Sequence, residues 1–311
     1  MNFPLLVLSV IASFSGYSQT PGHPHTANDT SVNCISHWKR GETRVYTITH
    51  EKNTIDPNKK SPPFKFTYEA WITVIDSTVK TYTIQWVFHL PAGATLLQPA
   101  LADTAIVYNG MKMIFRTTNM GEFVELVNWE EVRDAYARQM ELSLPQKKDS
   151  MASAALESAK RMFNSREMVE ASMIKEIQLF HFPYGYKFTT TQVSAYTTLP
   201  NPLGGDPYPA IQTYQVHGLH PGKDTFTLIY NMRIDKVNTR NMLEAILKKM
   251  DIKGEQEKQA MKEKYDSFDL QDSSQYNLFR SSGWIRSLNY KRNVVMTGNS
   301  QYDIYTITLK D

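Results

Sequence analysis

The chain of 311 residues is 41% apolar and carries a formal net charge of only +3, from 34 basic and 31 acidic residues. That apolar share excludes a disordered chain, and the balanced charge gives no electrostatic footprint for a nucleic-acid partner. A single cysteine, Cys34, excludes an intramolecular disulfide, and 17 Tyr, 14 Phe and 5 Trp favour strands, whose pleated surface suits flat, stiff side chains.

In chain order, the first signal is an apolar run from Leu5 to Phe14, followed by Gly16, Tyr17 and Ser18. The run is too short to span a bilayer and its exit is small. This is the pattern of a signal peptide over residues 1–18, cleaved before Gln19, although its start has no Lys or Arg. Export to the periplasm or the extracellular space is therefore expected. No later stretch has the length of a membrane helix, so no transmembrane segment is expected after cleavage. Residues 19–37, rich in Pro, Gly, His, Thr and Asn, read as a flexible leader. Cys34 lies within it, and Ser31, Val32 and Asn33 do not form a lipobox, so a plain thiol is expected.

Residues 38–311 read as a single domain. Trp38-Lys39-Arg40-Gly41-Glu42 introduces a strand from Thr43 to His50, and Glu51 to Pro63 reads as a polar loop. The organising hairpin runs from Phe64 to Leu90. Phe64, Phe66, Tyr68, Ala70, Ile72 and Val74 alternate, and Tyr82, Ile84, Trp86, Phe88 and Leu90 continue the same set. Keeping both sets on one face needs an odd number of residues in the turn. A loop of about three or five sets Val74 opposite Tyr82, Ala70 opposite Trp86 and Tyr68 opposite Phe88. Asn109-Gly110 then signals a second hairpin, pairing Ile106 with Met113 and Thr104 with Phe115.

A helical insertion is expected near residues 128–180, opened by Asn128 and Glu131 as a capping box and stopped by Pro183. Strand character returns from Tyr184 to Thr198. A hairpin follows, Ile211 to Leu219 with Asp224 to Asp235. After a second helical insertion near 238–266, the chain closes with strands near 267–280, 284–296 and 301–309. This order gives an α+β fold: a large, mainly antiparallel curved sheet, half-barrel-like, with helical insertions packed on one face. Curvature is expected because strands of roughly 36 Å twist and curl.

Chemical motifs are scarce. His217-Gly218-Leu219-His220 lacks the carboxylate and helix of a zinc motif, and no nucleophile elbow, phosphate loop or dinucleotide fingerprint occurs. Glu130-Glu131 suits the first turn of a helix. No catalytic residue, metal or cofactor is therefore assigned, and the enzyme reading leans to no. The lysines from Lys248 to Lys264 alternate with acids, as on a solvated helix face. Methionines in the helical segments suit either ordinary gap-filling or an adaptable apolar cavity. If Arg166 to Leu179 and Asn238 to Met250 lie loosely across the concave face, a cavity lined by Tyr68, Trp86, Phe88, Met168 and Met173 remains for an apolar or amphipathic small molecule.

The export signal ending Gly16-Tyr17-Ser18-Gln19, and the Trp38 to Glu42 opening of a tyrosine-rich strand, resemble uncharacterised exported proteins of Bacteroidota. Asp76-Ser77-Thr78, Asp103-Thr104-Ala105 and Asp149-Ser150-Met151 look like the short sites that such bacteria O-glycosylate. The long strands with helical insertions are similar in architecture to half-barrel carriers of the lipoprotein-localisation type. The leading expectation is a secreted or envelope non-enzymatic protein that binds an apolar or amphipathic ligand between sheet and helices. The alternatives are a structural or protein-interaction protein with a fully packed core, or a hydrolase with a site assembled from distant residues.

Overall fold

The computed structural model describes residues 31–56, 59–60, 62–91, 109–143, 163–199, 207–219, 222–240, 266–296 and 299–310, with residues 259 and 263. In chain order the strands and helices are β1 (Ser31–Asn33), β2 (Thr43–Asp56), β3 (Lys59–Lys60), β4 (Phe64–Ser77), β5 (Thr81–His89), β6 (Lys112–Thr118) and β7 (Phe123–Leu126), then α1 (Trp129–Ser143), α2 (Arg166–Met173) and α3 (Lys175–His181), then β8 (Lys187–Thr189), β9 (Val193–Leu199), β10 (Tyr208–His217), β11 (Thr225–Ile234), β12 (Asp269–Phe279), β13 (Ile285–Met296) and β14 (Asn299–Leu309).

Eleven strands form one antiparallel sheet in the order β7-β6-β5-β4-β2-β14-β13-β12-β11-β10-β9, with β3 paired to the end of β2. It is two meanders joined at their inner strands. One runs outward from β2 to β7; the other starts at β9 and returns strand by strand until β14 lies beside β2. The helices connect the two outer edges. The described fold is therefore α+β with a large, open antiparallel sheet.

The β4–β5 hairpin keeps its alternating residues on one face, but in a different register from the expected one. Ala70 faces Phe88, Ile72 faces Trp86 and Val74 faces Ile84, so the Ala70–Trp86, Tyr68–Phe88 and Val74–Tyr82 pairs do not form. The turn is shorter than parity alone suggests: the Thr78 N–H donates to the Thr81 carbonyl at 2.8 Å around Val79 and Lys80. A two-residue loop by itself would turn one strand over. The odd residue comes instead from a bulge between Val74 and Asp76, where the register shifts by one.

Three other expectations are corrected. β2 continues past His50 to Asp56 instead of entering a loop, because Glu51, Lys52 and Asn53 pair with Ile304, Asp303 and Tyr302 through the backbone, which is indifferent to side-chain polarity. Phe115 has Ile84 on one side and Leu126 on the other, so no place remains in the sheet for a Thr104–Phe115 pair; residues 92–108 themselves lie outside the described residues. Asn128 is not a helix cap of the expected kind. Its Oδ1 accepts the Ile114 N–H at 2.8 Å, and its Nδ2 reaches Glu131 at 3.1 Å, so it ties the start of α1 to β6.

Residues 31–37, assigned by composition to the leader, are built into the core. β1 pairs with β8, Cys34 is a buried free thiol, and the Cys34 and Ser36 N–H groups donate to the carbonyls of Tyr186 and Met120. Trp38 follows, stacked on Trp284 at 4.8 Å and edge-on to Tyr184 at 5.2 Å. The approach is close enough to require glycine at 283. A Cβ there would sit 2.2 Å from the Ile35 carbonyl oxygen, and the φ of +72° disfavours any side chain.

One face of the sheet is buried from β6 to β11. Tyr46 and Ile48 of β2, Ile84 and Trp86 of β5, Phe115 of β6, Ile307 of β14, Leu288 of β13, Tyr276 of β12 and Leu228 of β11 all point to it. α3 lies on this face with Phe180 fully buried. The next two residues touch opposite halves of the sheet: His181 lies 5.1 Å from Phe115 on β6, and Phe182 lies 4.6 Å from Tyr230 on β11. Those strands are seven spacings apart, roughly 34 Å if the sheet were flat. Neighbouring residues cannot bridge more than about 20 Å between rings, so the sheet curls around this segment.

Candidate functional site

The buried face carries charge as well as rings. His50 of β2 donates through Nε2 to Asp303 Oδ1 of β14 at 2.6 Å, and Lys175, the first residue of α3, is ion-paired to the other oxygen of Asp303. The Lys175 ammonium lies 5.0 Å from the ring centroids of both Tyr290 and Tyr305, and His50 stacks on Tyr305 at 4.2 Å. Beside it, Glu176 accepts the Tyr68 hydroxyl at 2.9 Å. On the next strands Arg292 of β13 makes a two-pronged contact with Asp272 of β12, at 2.7 and 2.6 Å. A polar belt thus crosses five adjacent strands of the inner face, from β4 to β12.

The electrostatics follow from the geometry. Burial alone would raise the Asp303 carboxyl, but the Lys175 charge and the His50 hydrogen bond hold it well below the usual carboxylate range. Burial likewise works against the Arg292 guanidinium, and Asp272 more than offsets it. The Tyr68, Tyr290 and Tyr305 hydroxyls are pushed up by burial, with neighbouring acids adding to the effect. Lys175 and Glu176 both come from the first turn of α3, so the belt is a clasp that fixes that helix to β4 and β14. Among the described residues no hydroxyl or thiol is hydrogen-bonded to His50. No group of three or more His, Cys, Asp or Glu with metal-binding geometry occurs among them.

The lining residues assigned from sequence fall into two groups. Tyr68, Trp86, Phe88 and Met173 come together, each at most 3% exposed, in one apolar cluster. Their neighbours are one another and α3: Tyr68 and Phe88 are 5.6 Å apart between ring centroids, Trp86 and Phe88 6.2 Å, Trp86 and Phe180 5.7 Å. Met168 is not with them. It lies on the outside of α2 and is 39% exposed. Of the histidine pair, His217 ends β10 exposed, and His220 lies outside the described residues.

A second apolar cluster, Leu199, Tyr208, Ala210, Tyr230, Met232, Ile234 and Phe268, occupies the β9–β12 end of the face. Phe182 and Tyr214 pack against both clusters yet are only partly buried. Their surroundings are mixed. Tyr230 lies across the ladder from both Tyr214 and Ser274, its hydroxyl reaches Gln212 at 3.3 Å, and Gln212 and Ser274 are buried. This seam is aromatic, with a few buried polar groups beside it. A separate polar depression of about 580 Å³ lies on the opposite face, among Thr213, Asn231, Arg233, Ser273 and Lys291.

His181 supplies a testable consequence. Its Nδ1 donates to the Gly121 carbonyl at 2.8 Å, and burial pushes the imidazole down from 6.5 to about 4. A lowered pKa means stability that is present above 6.5 and lost as pH falls towards 4, because the unfolded chain takes up the proton first. Asp303, also lowered, extends the loss below the ordinary carboxylate range. Urea unfolding from pH 7 to 4 is expected to show a loss on the order of 3 kcal/mol. His181→Asn, which keeps a donor near Gly121, flattens that limb; an unchanged limb would reject the assignment to His181.

No protein-family model matches the sequence, and no curated protein does. A similar solved structure is one on lipid–protein interactions in lipovitellin, with a TM-score of 0.40 and 9% identity, covering 88% of this chain. This chain spans a quarter of that one, 25% of its length. Among the described residues no helix is long and apolar enough to cross a membrane, which leaves β-barrel spanning untouched.

Proposed function

We propose that this is an exported, non-enzymatic protein that holds an amphipathic guest on the inner face of a half-barrel-like sheet, at the seam between its two apolar clusters. The observation that carries the proposal is the position of Phe182 and Tyr214. Both touch two apolar clusters while staying partly open, next to buried Gln212 and Ser274. Apolar walls hold a chain, and a few polar groups orient a head. Phe180 of α3 packs against Trp86 at 5.7 Å, so the proposed guest lies further along the sheet.

Protein purified from its native host without detergent, analysed by native mass spectrometry and lipid extraction, tests the proposal. A co-purifying amphiphile at about one per chain supports it; none would favour the reading of a structural or interaction protein. That second reading has its own support in the internal pairing of the polar belt and the close ring contacts under α3. Export is proposed on the apolar run and its small-residue exit. Intact mass of the mature protein is expected to start at Gln19; retention of Met1 would remove the export half of the proposal.

A further inference from the structure

The two edges of the sheet are protected differently. β7 is four residues long, and α2 lies against it: the Leu126 N–H donates to the Glu170 carboxylate at 2.6 Å, and Glu125 is ion-paired to Arg116 and Arg166. An incoming strand meets charge and an occupied donor there. β9 is seven residues, Val-Ser-Ala-Tyr-Thr-Thr-Leu, with no charge and no proline, and among the described residues it has a strand on one side only. Tyr196 at its centre is 81% exposed, and Ser194 and Thr198 are exposed as well. β10 behind it also lacks Asp, Glu, Lys and Arg. Natural edges are normally blunted by charge, proline or a cover.

We propose that β9 is where two copies of this chain join edge to edge, antiparallel, about a two-fold axis through Tyr196. The strand is its own complement. Pairing about Tyr196 sets Ala195 against Thr197, Ser194 against Thr198 and Val193 against Leu199, so no like charges meet and apolar ends cover apolar ends. Because each such pair joins residues of the same parity, the inner face of one copy continues into that of the other. Two-fold self-pairing is the commonest symmetry of soluble oligomers.

Cys34 is buried, so Tyr196→Cys places the one accessible thiol on the axis. Mild oxidation is expected to link that variant into covalent dimers and to leave Val237→Cys, also well exposed but elsewhere, unlinked. By analytical ultracentrifugation the unaltered chain is expected to dimerise reversibly. A Ser194→Lys/Thr198→Lys variant should weaken the dimer roughly tenfold or more. Mixing it with Ser194→Glu/Thr198→Glu should restore association, which a merely misfolded variant would not do. A monomeric parent, equal cross-linking at both cysteines, or no recovery on mixing would overturn the proposal.

Discussion

Trp86→Ala loses about 3–5 kcal/mol of folding stability in denaturant unfolding. Trp86 is fully buried, faces Ile72 and Met113 across its two ladders, and meets Phe180 of α3 edge-on at 5.7 Å. Its Nε1 has no hydrogen-bond partner among the described residues, so the loss is one of packing: removed apolar surface plus a cavity that neighbours on three elements cannot close. The midpoint should fall while the denaturant slope stays constant. A loss below about 1 kcal/mol would show that α3 does not pack there.

Asp272→Ala should be of similar size, about 3–5 kcal/mol, for the opposite reason. It takes the two-pronged carboxylate away from a buried guanidinium, and removing the main counter-charge from a desolvated group is what makes such a change severe. The double variant Asp272→Leu/Arg292→Met removes both charges and is expected to recover most of the loss. If the double variant is as unstable as the single one, the pair does more than neutralise itself.

The sheet was legible because its evidence is local. Alternation from Phe64 to Val74 and from Phe226 to Ile234 marks strands wherever one face is buried, and Gly110 takes the positive φ its turn requires. Register was not legible, since the bulge at Val74–Asp76 and a longer loop satisfy the same parity. The order of the strands was hidden too: nothing near β2 announces that β14 will lie beside it. The polar belt did leave a signal. His50, Asp272, Arg292 and Asp303 each stand at the apolar phase of an alternating strand, after Tyr46 and Ile48, before Tyr276, after Leu288 and before Tyr305. A charge in phase with the core must find a partner there. Lys175 and Glu176 gave no such sign, because on a short helix only the tertiary contact shows which way they face.

The most direct measurement of the central claim is titration of the purified protein with a fluorescent long-chain fatty acid, read by the emission change on entering an apolar site. Saturation at one probe per chain is expected, with displacement by unlabelled fatty acid and affinity weaker by roughly tenfold or more in Tyr214→Ala or Phe182→Ala, folding being unchanged by circular dichroism. A signal that never saturates, or one that both variants leave intact, would contradict a guest site at the seam.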